Sequence, residues 1–190
     1  MVDFEDDIKN SLRVLSEGGT ILYPTETVWG LGCDALNEEA IENIFSIKNR
    51  PKEKSLIILL AEAKDILQYI ASPHPDIIDI IENFERPTTV IYEHPLDFPE
   101  NAIHENGSIA IRVTQDPFCK ALIKRFRKPI VSTSANLSGQ PTASTFDQIN
   151  PIIKERVDYV VKFRQDDATT HPPSRLIKLH DDGTMEILRP

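Results

Sequence analysis

GGTILYPTETVWGLGCDALN, residues Gly18 to Asn37, decides how the rest of the chain is read. Thr20 to Tyr23 is a short β-branched and apolar run, the composition of a strand, and Pro24 ends it because proline cannot donate to a ladder. Two threonines then flank Glu26, and the chain's only tryptophan, Trp29, precedes Gly30 and Gly32. Hydroxyls, a carboxylate and bare backbone therefore gather at one strand end, a combination that suits a binding loop on a rigid scaffold. The segment GLGCDA formally satisfies the dinucleotide pattern G-x-G-x-x-A. In that fingerprint the first glycine follows the strand directly and a helix opens on it. Here Pro24 to Trp29 intervene and the next helix starts only after Asn37, so the fingerprint is rejected.

Working outward, Phe4, Ile8, Leu12 and Leu15 fall at helical spacing, with Gly18-Gly19 as the stop. Asn37 can cap a helix carrying Ala40, Ile41, Ile44, Phe45 and Ile47, which Pro51 ends. SLIILL, Ser55 to Leu60, is a continuous apolar run that predicts a strand buried on both faces. Helical stretches are expected around Ile66–Ile70 and Ile77–Phe84, and strands over Thr88–Glu93 and Ser108–Thr114. Asp116-Pro117 is a cap followed by a first-turn proline and opens a helix through Phe126. Pro129–Thr133 reads as a strand, Thr145 and Gln148 as a capping box for a further helix, and Asp158–Phe163 as another strand. RLIKLHDDGTMEIL reads as a hairpin turning at Asp182-Gly183. Some strands are joined without a helix, so the expectation is a mixed sheet in one domain spanning 1–190.

The bulk numbers exclude several classes. The 190 residues and 40% hydrophobic content suit a folded domain with a real core. Against 30 acidic residues stand 21 basic ones, a net charge of −9, which argues against a broad nucleic-acid footprint. Cys33 and Cys119 are too few and too far apart for a zinc site or a disulfide framework, and the five histidines show no metal-ligand spacing. No metal ligands, catalytic base or nucleophile are assigned. The acidic start MVDFEDDIKN is unlike a signal peptide, and LIILLA is far shorter than a membrane span, so a cytoplasmic protein without a membrane anchor is expected.

Two further segments break ordinary loop composition. IKNRPKEK places Lys48, Arg50, Lys52 and Lys54 within seven residues of an acidic chain. Taken alone, cations at a helix end complement its dipole and commonly face water. VSTSANLSGQPT, Val131 to Thr142, carries five hydroxyls and an asparagine. Strand alternation puts Ser132 and Ser134 on one face with Thr133 on the other. Uncharged donors and exposed backbone amides are what a phosphate or adenylate cradle needs, though an Asx- and Ser-stabilised turn has the same composition.

YPTETVWGLGCDA, IKNRP, SIAIRV and STSANLSGQPT occur in the order and approximate spacing of the threonylcarbamoyl-adenylate synthase (YrdC-like) family, which the chain resembles from about Gly18 to Thr142. The resemblance implies an α/β twisted open sheet with flanking helices around a concave cavity. It implies condensation of L-threonine, bicarbonate or CO₂ and ATP, with Mg²⁺ accompanying the nucleotide, to threonylcarbamoyl-AMP and pyrophosphate. Other proteins then pass the threonylcarbamoyl group to tRNA. On this likeness Lys48, Arg50, Lys54, Ser108, Ser134, Asn136 and Thr142 align with ATP-contacting positions. Thr25, Arg112 and Ser132 align with threonine-contacting ones.

The departures are local: ERPTT (Glu85 to Thr89) where many members have P-G-P-x-T, Ser55 in place of a common proline, and Leu59 where longer members can present a histidine. PSRLI (Pro173 to Ile177) is also unusual, and the chain ends at Arg189-Pro190 without a trailing glycine. The main rival is a relative that binds RNA or a nucleotide without efficient synthesis, and weak RNA contact is compatible with either reading. A carbamoyl-adenylate former of the hydrogenase-maturation kind is a second rival, but its zinc-finger-like domains need more cysteines than this chain has.

Overall fold

The computed structural model describes residues 3–49 and 56–190. Nine strands are described: β1 Ile21–Tyr23, β2 Gly30–Gly32, β3 Ile57–Leu60, β4 Thr88–Tyr92, β5 Ile109–Val113, β6 Ile130–Ser134, β7 Tyr159–Val160, β8 Arg175–Leu179 and β9 Met185–Arg189. They form one mixed sheet in the order β7-β1-β2-β6-β3-β5-β4-β8-β9. The pairs β1/β7, β3/β5 and β4/β8 are parallel and the other five are antiparallel. The helices are α1 Glu5–Ser16, α2 Glu38–Lys48, α3 Ile66–Tyr69, α4 Ile77–Glu82, α5 Pro117–Phe126 and α6 Pro151–Arg156. The expected α/β mixed sheet with flanking helices is therefore observed.

Local chemistry accounts for most boundaries. Asn37 caps α2 by accepting from Ala40 N at 3.0 Å, and Asp116 caps α5 by accepting from Cys119 N at 3.0 Å. Against expectation, Thr145 and Gln148 frame only a 3-10 turn at Phe146–Gln148, and Thr145 makes no side-chain cap bond. The helix begins later, where Asn150 accepts from Ile152 N and Pro151 stands in the first turn. A proline there fixes φ without losing a needed donor, which is why the helix starts at that point.

The second correction is β2. GLG has poor strand composition, yet Gly30–Gly32 pairs with β1 on one side and β6 on the other. The buried ring of Tyr23 crosses over these glycines so that its hydroxyl donates to Val131 O at 2.9 Å. A Cβ on Gly32 would stand 2.6 Å from that ring and 2.8 Å from Val131 O. The glycines thus admit an aromatic side chain across a strand, and no helix opens on them.

Two rows of residues on one sheet face carry the site. Ser132, Ile57, Ala110 and Ile91 lie side by side across β6, β3, β5 and β4. The adjacent row, Leu59, Arg112, Thr89, Leu176 and Arg189, crosses β3, β5, β4, β8 and β9. Arg189 joins that row only because the β8/β9 register shifts between Leu176 and Ile177. In an unbroken ladder Leu188 would face Leu176 and Arg189 would face Arg175, whose guanidinium lies over the Phe84 ring on the other face. The bulge re-aims Arg189.

Candidate active site

A cavity of about 370 Å³ opens over these rows, lined among others by Thr27, Gly30, Arg112, Ser132, Ser134, Thr142, Ser174 and Arg189. Four of the expected residues therefore share one hollow: Arg112, Ser132, Ser134 and Thr142. Thr133, expected on the opposite face, also borders it. No aspartate or glutamate among the described residues lines it.

Lys48, the last residue of α2, is buried, and its ammonium is committed to the turn that follows β6. It donates to Ser134 O, to Asn136 O at 2.8 Å and to Asn136 Oδ1 at 3.3 Å. Asn136 Oδ1 also accepts from Ser134 Oγ, while its Nδ2 donates to Gln140 O at 2.8 Å. The lysine and the serine–asparagine pair thus meet in one polar network beside the cavity. Arg50 and Lys54 lie outside the described residues.

Thr25 is buried one step behind the wall. Its hydroxyl donates to Val28 O at 2.7 Å and accepts from Thr27 N at 3.1 Å, so it shapes the loop while Thr27 lines the cavity. Ser108 precedes β5, and alternation places it on the cavity face. Its hydroxyl is engaged by Asn106 Oδ1 at 2.6 Å. Trp29 is buried against Phe146, with ring centroids 4.9 Å apart, and does not line this cavity.

Ser174, Arg189 and Thr27 are polar lining residues to which the sequence assigned no individual role. Arg189 donates from Nε and Nη2 to Ser174 O at 3.0 and 2.9 Å, and Ser174 Oγ shares a 2.8 Å hydrogen bond with Thr89 Oγ1. The available signal was the hairpin itself, but counting from its turn sends Arg189 to the wrong face.

The electrostatics of the hollow are cationic within an acidic protein. Burial, and after it the charge of Arg112, lowers the pKa of Arg189. Arg112 is almost wholly buried, with Glu26 Oε1 3.3 Å from its Nε. That N–H finds no aligned acceptor, so the contact is a charge pair and not a formed hydrogen bond. Two guanidiniums facing one hydroxyl-lined hollow suit a ligand bearing carboxylate or phosphate charge.

Among the described residues no three His, Cys, Asp or Glu side chains are grouped to hold an ion. None of the described helices is long and apolar enough to cross a membrane.

Residues 13–190 match the profile of the Sua5/YciO/YrdC domain, described as telomere recombination. A threonylcarbamoyl-AMP synthase from Pseudoalteromonas translucida is 36% identical over 160 residues, covering 83% of this chain and 86% of that protein. One from Coxiella burnetii is 30% identical over 190 residues and covers all of both chains. The structure of a P. abyssi Sua5 double variant superposes with a TM-score of 0.85 at 26% identity. It covers all of this chain, which spans 57% of that longer protein.

Proposed function

The chain belongs to the Sua5/YciO/YrdC family, and from that membership we propose that it makes threonylcarbamoyl-AMP and pyrophosphate from L-threonine, bicarbonate or CO₂ and ATP. The carrying observation is the convergence of Arg112 and Arg189 on a cavity otherwise lined by hydroxyls and apolar groups. In this reading Arg112 grips the threonine carboxylate through its Nη pair, with Ser132 beside the substrate and Thr25 supporting the loop that presents Thr27. The nucleotide is taken by Ser108, Ser134, Asn136 and Thr142, with Lys48 ordering the Ser134–Asn136 turn from behind, by Arg50 and Lys54, and by Arg189 as a further cation.

The neutral threonine amine adds to CO₂ and loses a proton to solvent to give a carbamate, and a carbamate oxygen attacks the α-phosphorus of ATP as the bond from that phosphorus to pyrophosphate breaks. No covalent enzyme intermediate is required. The protein contributes alignment and fixed positive charge where phosphate charge develops. Mg²⁺ would enter with the nucleotide, since it is commonly held by substrate phosphates and water and no described carboxylate lines the cavity. The reaction belongs in the cytoplasm, with the product passed to tRNA-modifying proteins.

Mass spectrometry of a reaction containing ATP, bicarbonate and threonine tests this directly. A product at the mass of threonylcarbamoyl-AMP, absent when threonine is omitted, is expected. Arg112→Ala should reduce its formation by on the order of a hundredfold. Failure to form the product, with tight and steeply salt-dependent RNA binding, would instead favour a binding module.

A further inference from the structure

Glu26 has no assigned role in the reaction, yet it stands at the hinge of the cationic site. Its Oε1 lies 3.3 Å from Arg112 Nε, and its Oε2 accepts from Thr114 Oγ1 at 2.8 Å. Thr114 is fully buried, and its hydroxyl also accepts from Asp116 N at 3.2 Å, which leaves its proton for the carboxylate. Its backbone N–H is tied to Leu60 O at 3.0 Å, so the hydroxyl sits at a fixed point beyond the end of β5. Arg112 and Thr114 are two residues apart and share a face, and Glu26 spans them. Among the described residues this ion pair is the one polar contact made by the Arg112 side chain.

We infer that Glu26, held by Thr114, is a positioning residue that keeps the Nη edge of Arg112 presented to the amino-acid carboxylate. This rests on the assignment of Arg112 given above. The contact is at Nε, which leaves both Nη groups for a second, end-on carboxylate. Without Glu26, Arg112 becomes a buried cation opposed by Arg189 with no counter-charge among the described residues, and its guanidinium loses the partner that sets its direction. The opposing effect is competition, because a carboxylate near Arg112 also repels an incoming one. The two effects predict opposite signs for Glu26→Gln: positioning loosens threonine binding on substitution, and competition tightens it. The Nε-side geometry selects positioning.

Steady-state kinetics with each substrate varied in turn test the inference. Glu26→Gln, which removes the charge beside Arg112, and, independently, Thr114→Val, which removes the hydrogen bond that holds that charge, should each raise the threonine KM about tenfold. The ATP KM should stay within about twofold, and Glu26→Asp should recover most of the loss. In an Arg112→Ala background, Glu26→Gln should add nothing, since both act through one contact. Thr114→Val carries the test if the Gln variant fails to fold, and melting curves on all variants identify that case. An unchanged or lowered threonine KM, an equal rise in both KM values, or additive effects overturn the positioning role. If Arg112→Ala itself leaves the threonine KM unaltered, the Arg112 assignment falls and the inference with it. If only Arg112→Ala raises it, that assignment stands and the role of Glu26 does not.

Discussion

Gly32 and Gly139 show how differently two glycines constrain one chain. An added Cβ at Gly32 meets a buried ring and a backbone carbonyl below 3 Å, and neither can yield, because the Tyr23 hydroxyl is bonded to Val131 O. Gly139 has nothing within 4 Å and only a positive φ of 83°. Gly32→Ala should therefore cost about 2 kcal/mol or more, and Gly139→Ala about 1 kcal/mol. Paired thermal melts check this, with the first variant expected to melt roughly 5 °C or more below the parent. At the same scale, a chain ending at Leu188 loses Arg189 and its bonds to Ser174 O. Product formation should fall on the order of a hundredfold while the fold persists, as measured by pyrophosphate release beside circular dichroism.

Among the elements, α1 is fastened to the exit of β7 by one buried carboxylate. Asp7 accepts from Tyr159 Oη at 2.6 Å, Lys162 N at 3.0 Å and Phe163 N at 2.9 Å. Burial first, and then the bond to Asp7, pushes the Tyr159 phenol up to about 12 from an ordinary 10.0. The fold holds the neutral phenol more tightly than the unfolded chain does. The stabilisation is therefore complete below about pH 10 and is lost progressively as pH rises toward about 12. Tyr159→Phe should show a shallower loss of stability across that window in denaturant titrations. The cap of α5 is a second joint: Asp116 accepts from Cys119 N and also binds Arg164 Nη2 at 2.6 Å. Asp116→Ala should cost about 2 kcal/mol and Asp116→Asn about half of that, because asparagine keeps the cap and loses the charge.

For the whole molecule, the sheet encloses both thiols. Cys33 and Cys119 are fully buried, and burial raises the pKa of each. At about pH 8 neither should react with an alkylating reagent in the native state, and labelling should track global unfolding. Rapid labelling of either cysteine would show a local opening that the packing does not suggest. Charge follows the same division: the chain carries −9, while its central cavity gathers guanidiniums and no described carboxylate. Such a distribution draws small anions into one place and leaves the outer surface averse to polyanions.

Much of this was legible without coordinates. Period and capping chemistry located α1, α2, α5 and most of the strands, because those signals act within a few residues. The hydroxyl-rich run after β6 and the arginine of SIAIRV were visible as chemistry awaiting a partner. The missed features were non-local. GLG became a strand because neighbours on both sides and the Tyr23 ring needed bare backbone there, and the helix expected at Thr145 moved to the Asn150 cap. Lys48 turned toward the Ser134–Asn136 turn, a direction no spacing in IKNRP specifies. By itself, then, the sequence determined most of the helical and extended segments and which functional groups they carry. Only the tertiary structure decided that Arg112 and Arg189 share a cavity, since strand order and a single bulge are set by long-range pairing and not by residues adjacent in the chain.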